Sequence, residues 1–232
     1  MYDVSKEELL KLVKLNSCPG FFADCFLRNN MVLKVYKYKI DYIFEIIGKL
    51  MNFKKDNIAF PKKEVIVEGF SYAYVMDYID GIKFSNLSDY ILLNKKIITF
   101  ENIILCYHDA LLKAEFFTDN LIEIRDLNLG NIKLLNNSVG IYDLDFYSVH
   151  DVFENKKNEI YDLNLSAINI VFKKLISKLI SLIHADEKTI TNYIDSVLNS
   201  FDKSSITYVD DVFERINEIT NYKDFNSLIL TK

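Results

Sequence analysis

The sequence predicts an α+β fold in which a small antiparallel β-sheet precedes a mostly helical second half. The clearest strand-like runs are Phe22–Leu27, Met31–Tyr36 and Phe70–Tyr78. These runs are rich in β-branched and aromatic residues and are separated by turn formers. Farther along, apolar residues recur at helical spacing over Phe100–Thr118 and Ile160–Ile183. We therefore expect a sheet with one main helix over residues 1–79 and a helical domain over residues 80–232.

Composition and charge exclude several classes of protein. Of the 232 residues, 50% are hydrophobic and 26% are charged, which is typical of a folded globular chain. The net charge of −5 gives no support to a nucleic-acid or anionic-membrane surface. No uncharged apolar run approaches the ~20 residues that a membrane-spanning helix needs.

The cysteines and the first residues indicate a cytoplasmic protein. The three cysteines, Cys18, Cys25 and Cys106, form no CxxC pair, so we expect reduced thiols. The opening MYDVSKEELL is acidic where a secretory signal would be basic, although export without a signal stays open. Ser5 and Glu8 predict a capping box for a helix over Lys6–Lys14.

A lysine and a glutamate interrupt apolar patterns in the first half. Lys34 stands inside the Met31–Tyr36 run and must reach either a polar partner or, on an edge strand, water. The next helix, predicted over Ile40–Met51, carries Glu45 among its apolar residues. Glu45 is the natural partner of Lys34 if both face a cleft, and otherwise it faces solvent.

The stretch from Leu121 to Tyr147 contains the strongest candidates for chemistry. Two short apolar strands flank a turn at Asn136-Asn137-Ser138, and such a hairpin would bring Asp126, Asn131 and Asp143 to one end. Carboxylate and amide oxygens suit a hard cation such as Mg²⁺. The alternative is a surface hairpin with scattered polar residues.

Spacing in this stretch matches a known catalytic pattern. Arg125-Asp126-Leu127 followed by Asn131 resembles the kinase loop H-R-D-L-x-x-x-N, with Ile124 where histidine is usual. Asp143 stands where that pattern keeps the aspartate of D-F-G, and Val32-Leu33-Lys34 is similar to V-A-I-K. The chain therefore resembles the protein kinase-like superfamily.

The resemblance implies a two-lobed fold and ATP- and Mg²⁺-dependent phosphoryl transfer to an unknown hydroxyl acceptor. Asp126 would orient the attacking hydroxyl, and Asn131 and Asp143 would hold the metal. Lys34, positioned by Glu45, would contact the phosphates.

The resemblance also implies a nucleotide-binding hinge and a phosphate-covering loop. Met76 would lie beside adenine, and the backbone of Asp77 and Tyr78 would bind the edge of the base. Gly81 would permit the turn into the second lobe. Gly20 would belong to the loop over the phosphates, where the family usually carries several glycines.

Departures from the family pattern leave three functions open. Asp143-Leu144-Asp145 lacks the D-F-G glycine, and with prolines only at Pro19 and Pro61 no A-P-E can exist. Asp162 either braces the catalytic loop or is an acid favoured at a helix start. We expect an atypical serine/threonine-type protein kinase with a reduced activation segment. The alternatives are a sugar, lipopolysaccharide or aminoglycoside-type kinase and a pseudokinase that serves as a nucleotide-binding regulatory module.

Overall fold

The computed structural model describes residues 3–15, 22–38, 40–93, 95–151 and 156–180, with positions 182, 214, 224, 226 and 227. This part of the chain is mixed α+β with antiparallel sheets. Its contacts divide it into two units, which are described separately. The first unit is Met1–Asp80 with Ile141–Val149, and the second is Gly81–Gly140 with the residues from His150 onward. The expected division into a domain over residues 1–79 and a domain over residues 80–232 stays a prediction.

A five-stranded antiparallel sheet with the order β1-β2-β3-β5-β4 organises the first unit. Its strands are β1 (Val13–Lys14), β2 (Ala23–Arg28), β3 (Met31–Tyr36), β4 (Pro61–Glu64) and β5 (Tyr72–Asp77). The same unit contains α1 (Lys6–Leu10), α2 (Asp41–Leu50) and a short strand at Ser148–Val149 that we number β10.

Local sequence signals explain the start of this sheet. The Ser5–Glu8 capping box forms, but α1 ends at Leu10, and Val13 and Lys14 pair with β2 as a strand. The predicted extension of the helix to Lys14 is therefore wrong, because Val13 and Lys14 form an edge strand of the sheet. Asn29 and Asn30 turn β2 into β3 with φ of 48° and 60°, angles that asparagine tolerates and tight hairpins need.

The two faces of the sheet have different characters. Leu33 and Val35 of β3 join the apolar core beneath α1. Because side chains alternate along a strand, Lys34 and Tyr36 project to the other face. There Lys34 lies opposite Tyr74, and Tyr36 lies opposite Tyr72. One face of the sheet therefore packs into the apolar core. The other face carries the polar side chains of the paired strands β3 and β5.

The second unit is mainly helical. Its elements are β6 (Ile82–Lys83), a 3-10 turn (Phe84–Asn86), α3 (Leu87–Leu92), α4 (Phe100–Asp119), β7 (Ile122–Glu123), β8 (Ile132–Leu134), β9 (Val139–Ile141, its last residue in the first unit) and α5 (Lys157–Ile180). Thr99 and Asn102 form a capping box for α4. The packing of α4 on α5 includes Tyr107, whose hydroxyl donates to Asn169 Oδ1 at 2.7 Å.

Two further expectations concern the helices. The helices predicted over Thr189–Phe201 and Asp210–Ile219 lie outside the described residues. Among the helices that are described, none is long and apolar enough to cross a membrane.

Candidate functional site

A buried polar cluster lies on the α2 side of the sheet in the first unit. The Lys34 amine contacts the carboxylates of both Asp143 and Asp145, and its distance to Asp145 Oδ2 is 2.5 Å. The side chains of Lys34 and Asp145 are only 7% and 5% exposed, whereas that of Asp143 is 40% exposed. Asp143 is therefore the carboxylate of this cluster that solvent or a ligand can reach.

Two tyrosines complete the surroundings of Asp145. Tyr74 donates its hydroxyl to Asp145 Oδ1 at 2.7 Å, and Tyr36 donates to Oδ2, which also accepts from Lys34. Both carboxylate oxygens thus accept hydrogen bonds from protein groups. This arrangement compensates part of the cost of burying a charge.

Backbone contacts hold the segment that carries the two aspartates. The Ile141 N–H donates to the Asn57 carbonyl, and the Ala59 N–H donates to the Ile141 carbonyl, both at 2.9 Å. Asp143 then adopts a φ of 65°, a left-handed conformation that is uncommon outside glycine and better tolerated by aspartate. Residues in such conformations cluster at functional sites.

The electrostatics of the cluster favour a charged lysine. Burial alone would lower the pKa of Lys34, but the nearby Asp145, Tyr74 and Asp143 outweigh it and raise that pKa well above its ordinary value. Burial also raises the pKa of Tyr74, and it raises the pKa of Cys25, the residue opposite Lys34 on β2, to about 11. At neutral pH Lys34 is therefore an ammonium, and the Tyr74 hydroxyl is a neutral donor.

Glu45 does not contact Lys34, contrary to the sequence-based expectation. Its side chain is 72% exposed and pairs with Lys49 one turn along α2 at 3.2 Å. The helix turns the opposite face inward, where Phe44 stacks on Tyr72 with ring centroids 4.0 Å apart. Burial of Ile43, Ile47 and Leu50 fixes the rotation of α2. Asp145 is the buried partner of Lys34 instead.

The residues expected at the hinge are only partly placed as predicted. Met76 is buried at the end of β5. Asp77 pairs with Lys62 at 2.5 Å, and the Tyr78 N–H donates to the Asn30 carbonyl at 3.4 Å. The Tyr78 N–H is thus engaged within the protein, and base binding by the backbone of Asp77 and Tyr78 stays a prediction. Gly20 lies outside the described residues.

The loop from Asp126 to Asn131, in the second unit, is folded by its own side chains. The Asn131 amide nitrogen donates to the Asp126 carbonyl at 2.9 Å, and Asn128 Oδ1 accepts from the Gly130 N–H at 2.8 Å. Asp126 itself is exposed and accepts from the Asn128 amide at 3.2 Å. Because the nitrogen of Asn131 is used in the loop, its amide oxygen is the atom that it could present to a cation.

Arg125 is held by a neighbouring glutamate. Its Nε and one terminal nitrogen donate to the two carboxylate oxygens of Glu123 at 2.8 and 3.0 Å. His150 Nε2 lies 2.8 Å from the same carboxylate. The hydrogen bond from Arg125 lowers the pKa of Glu123; burial opposes this shift, and His150 adds to it.

This pKa shift predicts a pH dependence of stability. Because the folded-state pKa lies below the ordinary 4.5, ionised Glu123 stabilises the fold above about pH 4.5, and this contribution is lost as pH falls through the folded-state pKa. Arg125 is half exposed, so we expect Glu123→Gln to lower the free energy of unfolding by less than about 1 kcal/mol at neutral pH. Denaturant titrations from pH 7 to pH 3 should show this difference shrinking in acid; a difference that grows in acid would contradict the assignment.

A buried asparagine braces the chain just before the loop. Asn164 on α5 is fully buried; its Oδ1 accepts from the Ile124 N–H at 2.7 Å, and its amide nitrogen donates to the Ile122 carbonyl and to Thr118 Oγ1. Asp162, expected as a possible brace, is exposed. The sequence does contain a signal for Asn164: it lies four residues from both Ile160 and Ile168, and therefore on the apolar face of the helix.

We predict that Asn164→Ala lowers the free energy of unfolding by about 2–3 kcal/mol, because it leaves buried backbone groups without partners. Chemical denaturation would measure the loss. Asn158→Ala, at an exposed position of the same helix, is the matched control and should change stability by less than about 0.5 kcal/mol. Equal effects of the two substitutions would show that Asn164 does not brace the loop.

The metal site expected from Asn131 and Asp143 stays a prediction. No group of three or more His, Cys, Asp and Glu side chains within the described ranges is arranged to hold a metal ion. Asn131 belongs to the second unit and Asp143 to the first. The exposed carboxylate of Asp143 and the amide oxygen of Asn131 are nevertheless hard donors of the type that Mg²⁺ prefers.

Comparison with known proteins assigns no family. The chain matches no protein-family model, and a search of curated proteins found no significant match.

Proposed function

We propose that this protein is an ATP- and Mg²⁺-dependent phosphotransferase with a two-lobed, protein kinase-like fold. The observation that carries the proposal is the contact between the Lys34 amine and the Asp143 carboxylate, 109 residues apart in the chain. The sequence pattern predicts Lys34 as a phosphate-binding lysine and Asp143 as a metal-binding aspartate. Their contact supports these paired roles.

Each proposed role follows from the chemistry of the side chain. Lys34 would neutralise phosphate charge, and Asp143 together with Asn131 would hold Mg²⁺. Mg²⁺ held by these residues would supply positive charge to stabilise the phosphoryl group during transfer. Asp126, an exposed carboxylate on a braced loop, would orient the acceptor hydroxyl. Phosphoryl transfer depends mainly on positioning and charge stabilisation, so this small set can suffice.

Two candidate functions differ in the molecule whose hydroxyl group accepts the phosphoryl group. An atypical serine/threonine protein kinase is supported by Arg125 beside Asp126. A sugar or other small-molecule kinase is supported by the second aspartate, Asp145, and by the start of α5 at Lys157, which leaves little chain for a peptide-docking segment. The pseudokinase alternative is supported by Ile124, which stands where the family pattern has histidine, and by Gly20, the only glycine in the predicted phosphate-covering loop.

Transfer of label from ATP tests the proposal. The protein is incubated with γ-labelled ATP, Mg²⁺ and a lysate of its source cells, and the products are separated into protein, lipid and small-molecule fractions. We expect label in one fraction with the wild type and none with Asp126→Ala. Label in the protein fraction would identify a protein kinase. No transfer above that of Asp126→Ala would contradict a phosphotransferase and favour the pseudokinase.

A further inference from the structure

The two carboxylates that contact Lys34 differ in what else they can do. Asp143 is 40% exposed and makes its side-chain contact with Lys34. Asp145 is 5% exposed, and its two oxygens accept three hydrogen bonds, from Lys34, Tyr36 and Tyr74. A ligand can therefore reach Asp143, whereas Asp145 is buried and both of its carboxylate oxygens are hydrogen-bonded within the protein.

The partners of Asp145 come from adjacent strands. Tyr36 lies two residues beyond Lys34 on β3, and Tyr74 lies directly across from Lys34 on β5. Both hydroxyl donors thus belong to the same strand pair that carries the lysine. The ammonium, the carboxylate and the two hydroxyls form one connected unit whose geometry is set by the register of the sheet.

We propose that Asp145, held by Tyr36 and Tyr74, is the positioning residue that fixes the Lys34 amine for a phosphate ligand. It takes the part that was expected of a glutamate on α2, because Glu45 is exposed and pairs with Lys49. The inference rests on the proposed function. Asp143 is then available to exchange its contact with Lys34 for a metal ion while Asp145 keeps the amine in place.

A purely structural role accounts less well for this cluster. A buried ion pair is seldom more stabilising than well-packed apolar side chains of the same size. The cluster nevertheless places a lysine, an aspartate and two tyrosine hydroxyls in an interior that Val32 and Met76 flank. A functional role explains this costly arrangement, because it holds the Lys34 ammonium beside the accessible carboxylate of Asp143.

Three variants test the proposal. Asp145→Asn removes the charge, Tyr74→Phe removes one hydrogen bond without changing shape, and Glu45→Gln is the matched control on α2. Steady-state kinetics with Mg²⁺–ATP would give KM and kcat, and ¹⁵N spectra of lysine ammonium groups would report the order of Lys34. The Lys34 signal is assigned by its loss in Lys34→Arg.

We expect a slowly exchanging Lys34 ammonium signal in the wild type and in Glu45→Gln, weakened in Tyr74→Phe and lost in Asp145→Asn. Tyr74→Phe should weaken the apparent affinity for ATP about tenfold, the factor expected for one hydrogen bond. Glu45→Gln should leave the kinetics unchanged. This ordering would support Asp145 as the positioning residue.

Contrary results are distinguishable. A wild-type ammonium signal in both Asp145→Asn and Tyr74→Phe would overturn the positioning role whether or not ATP is turned over. Wild-type kinetics in both variants, with activity lost in Lys34→Arg, would overturn it while leaving the proposed function intact. Absence of ATP binding and turnover in the wild type would overturn the proposed function and the phosphate-positioning role together, even if the ammonium signal showed Lys34 to be ordered.

Discussion

Replacing Lys34 by methionine should lower the free energy of unfolding by about 3–5 kcal/mol. The substitution leaves Asp145 buried without its cation, and breaking a buried ion pair from one side is far more costly than removing both partners. The double variant Lys34→Met/Asp145→Asn should therefore recover most of the loss. This effect is a large fraction of the total stability of an ordinary domain.

Urea unfolding followed by circular dichroism and tyrosine fluorescence would measure this effect, since the chain has no tryptophan and 15 tyrosines. Lys49→Met is the matched control, because Lys49 pairs with Glu45 on the surface of α2. It should change stability by less than about 1 kcal/mol. If Lys34→Met is no more destabilising than Lys49→Met, the buried ion pair does not exist in solution.

Asp126→Ala should reduce the rate of phosphoryl transfer by about 10²–10⁴-fold, the range for loss of a group that handles the proton of the nucleophile. The carboxylate is exposed and accepts a hydrogen bond from the neighbouring Asn128 amide, so the fold should remain intact. Initial rates with saturating Mg²⁺–ATP would measure the loss, and thermal unfolding would confirm that the variant is folded.

Asp119→Ala is the matched control, because it removes an exposed carboxylate outside the proposed catalytic set. Asp119 is an exposed carboxylate at the end of α4, in the same unit, and it pairs with exposed Lys157. Its removal should leave transfer unchanged. Equal rates for the wild type and Asp126→Ala would remove Asp126 from the proposed catalytic set.

Local signals allowed much of the fold to be predicted. The Met31–Tyr36 strand has the predicted bounds, and the helix predicted over Ile40–Met51 is present as Asp41–Leu50. Alternation placed Lys34 on one face of β3, and the turn residues Asn29 and Asn30 set the hairpin. These features depend on sequence neighbours, so a single sequence reveals them.

Features that depend on tertiary packing were missed. The rotation of α2, and with it the exposure of Glu45, follows from the burial of Ile43, Ile47 and Leu50. Phe44 also packs against Tyr72, which lies on a strand distant in sequence. Likewise, the sequence shows polar residues in buried phase at Tyr36, Tyr74 and Asn164 but does not reveal their partners. A polar residue in a buried phase indicates a contact, and only the fold identifies it.

The most direct test of the proposed function is calorimetric titration of ATP into the wild type with and without Mg²⁺. We expect binding that Mg²⁺ strengthens at least tenfold, equivalent to about 1.4 kcal/mol, and expect Asp143→Asn to abolish this enhancement. Asp56→Asn, at an exposed position in the same unit, should behave as the wild type. Absence of Mg²⁺-dependent ATP binding in the wild type would contradict the proposal, and an undiminished enhancement in Asp143→Asn would contradict the metal-binding role of Asp143.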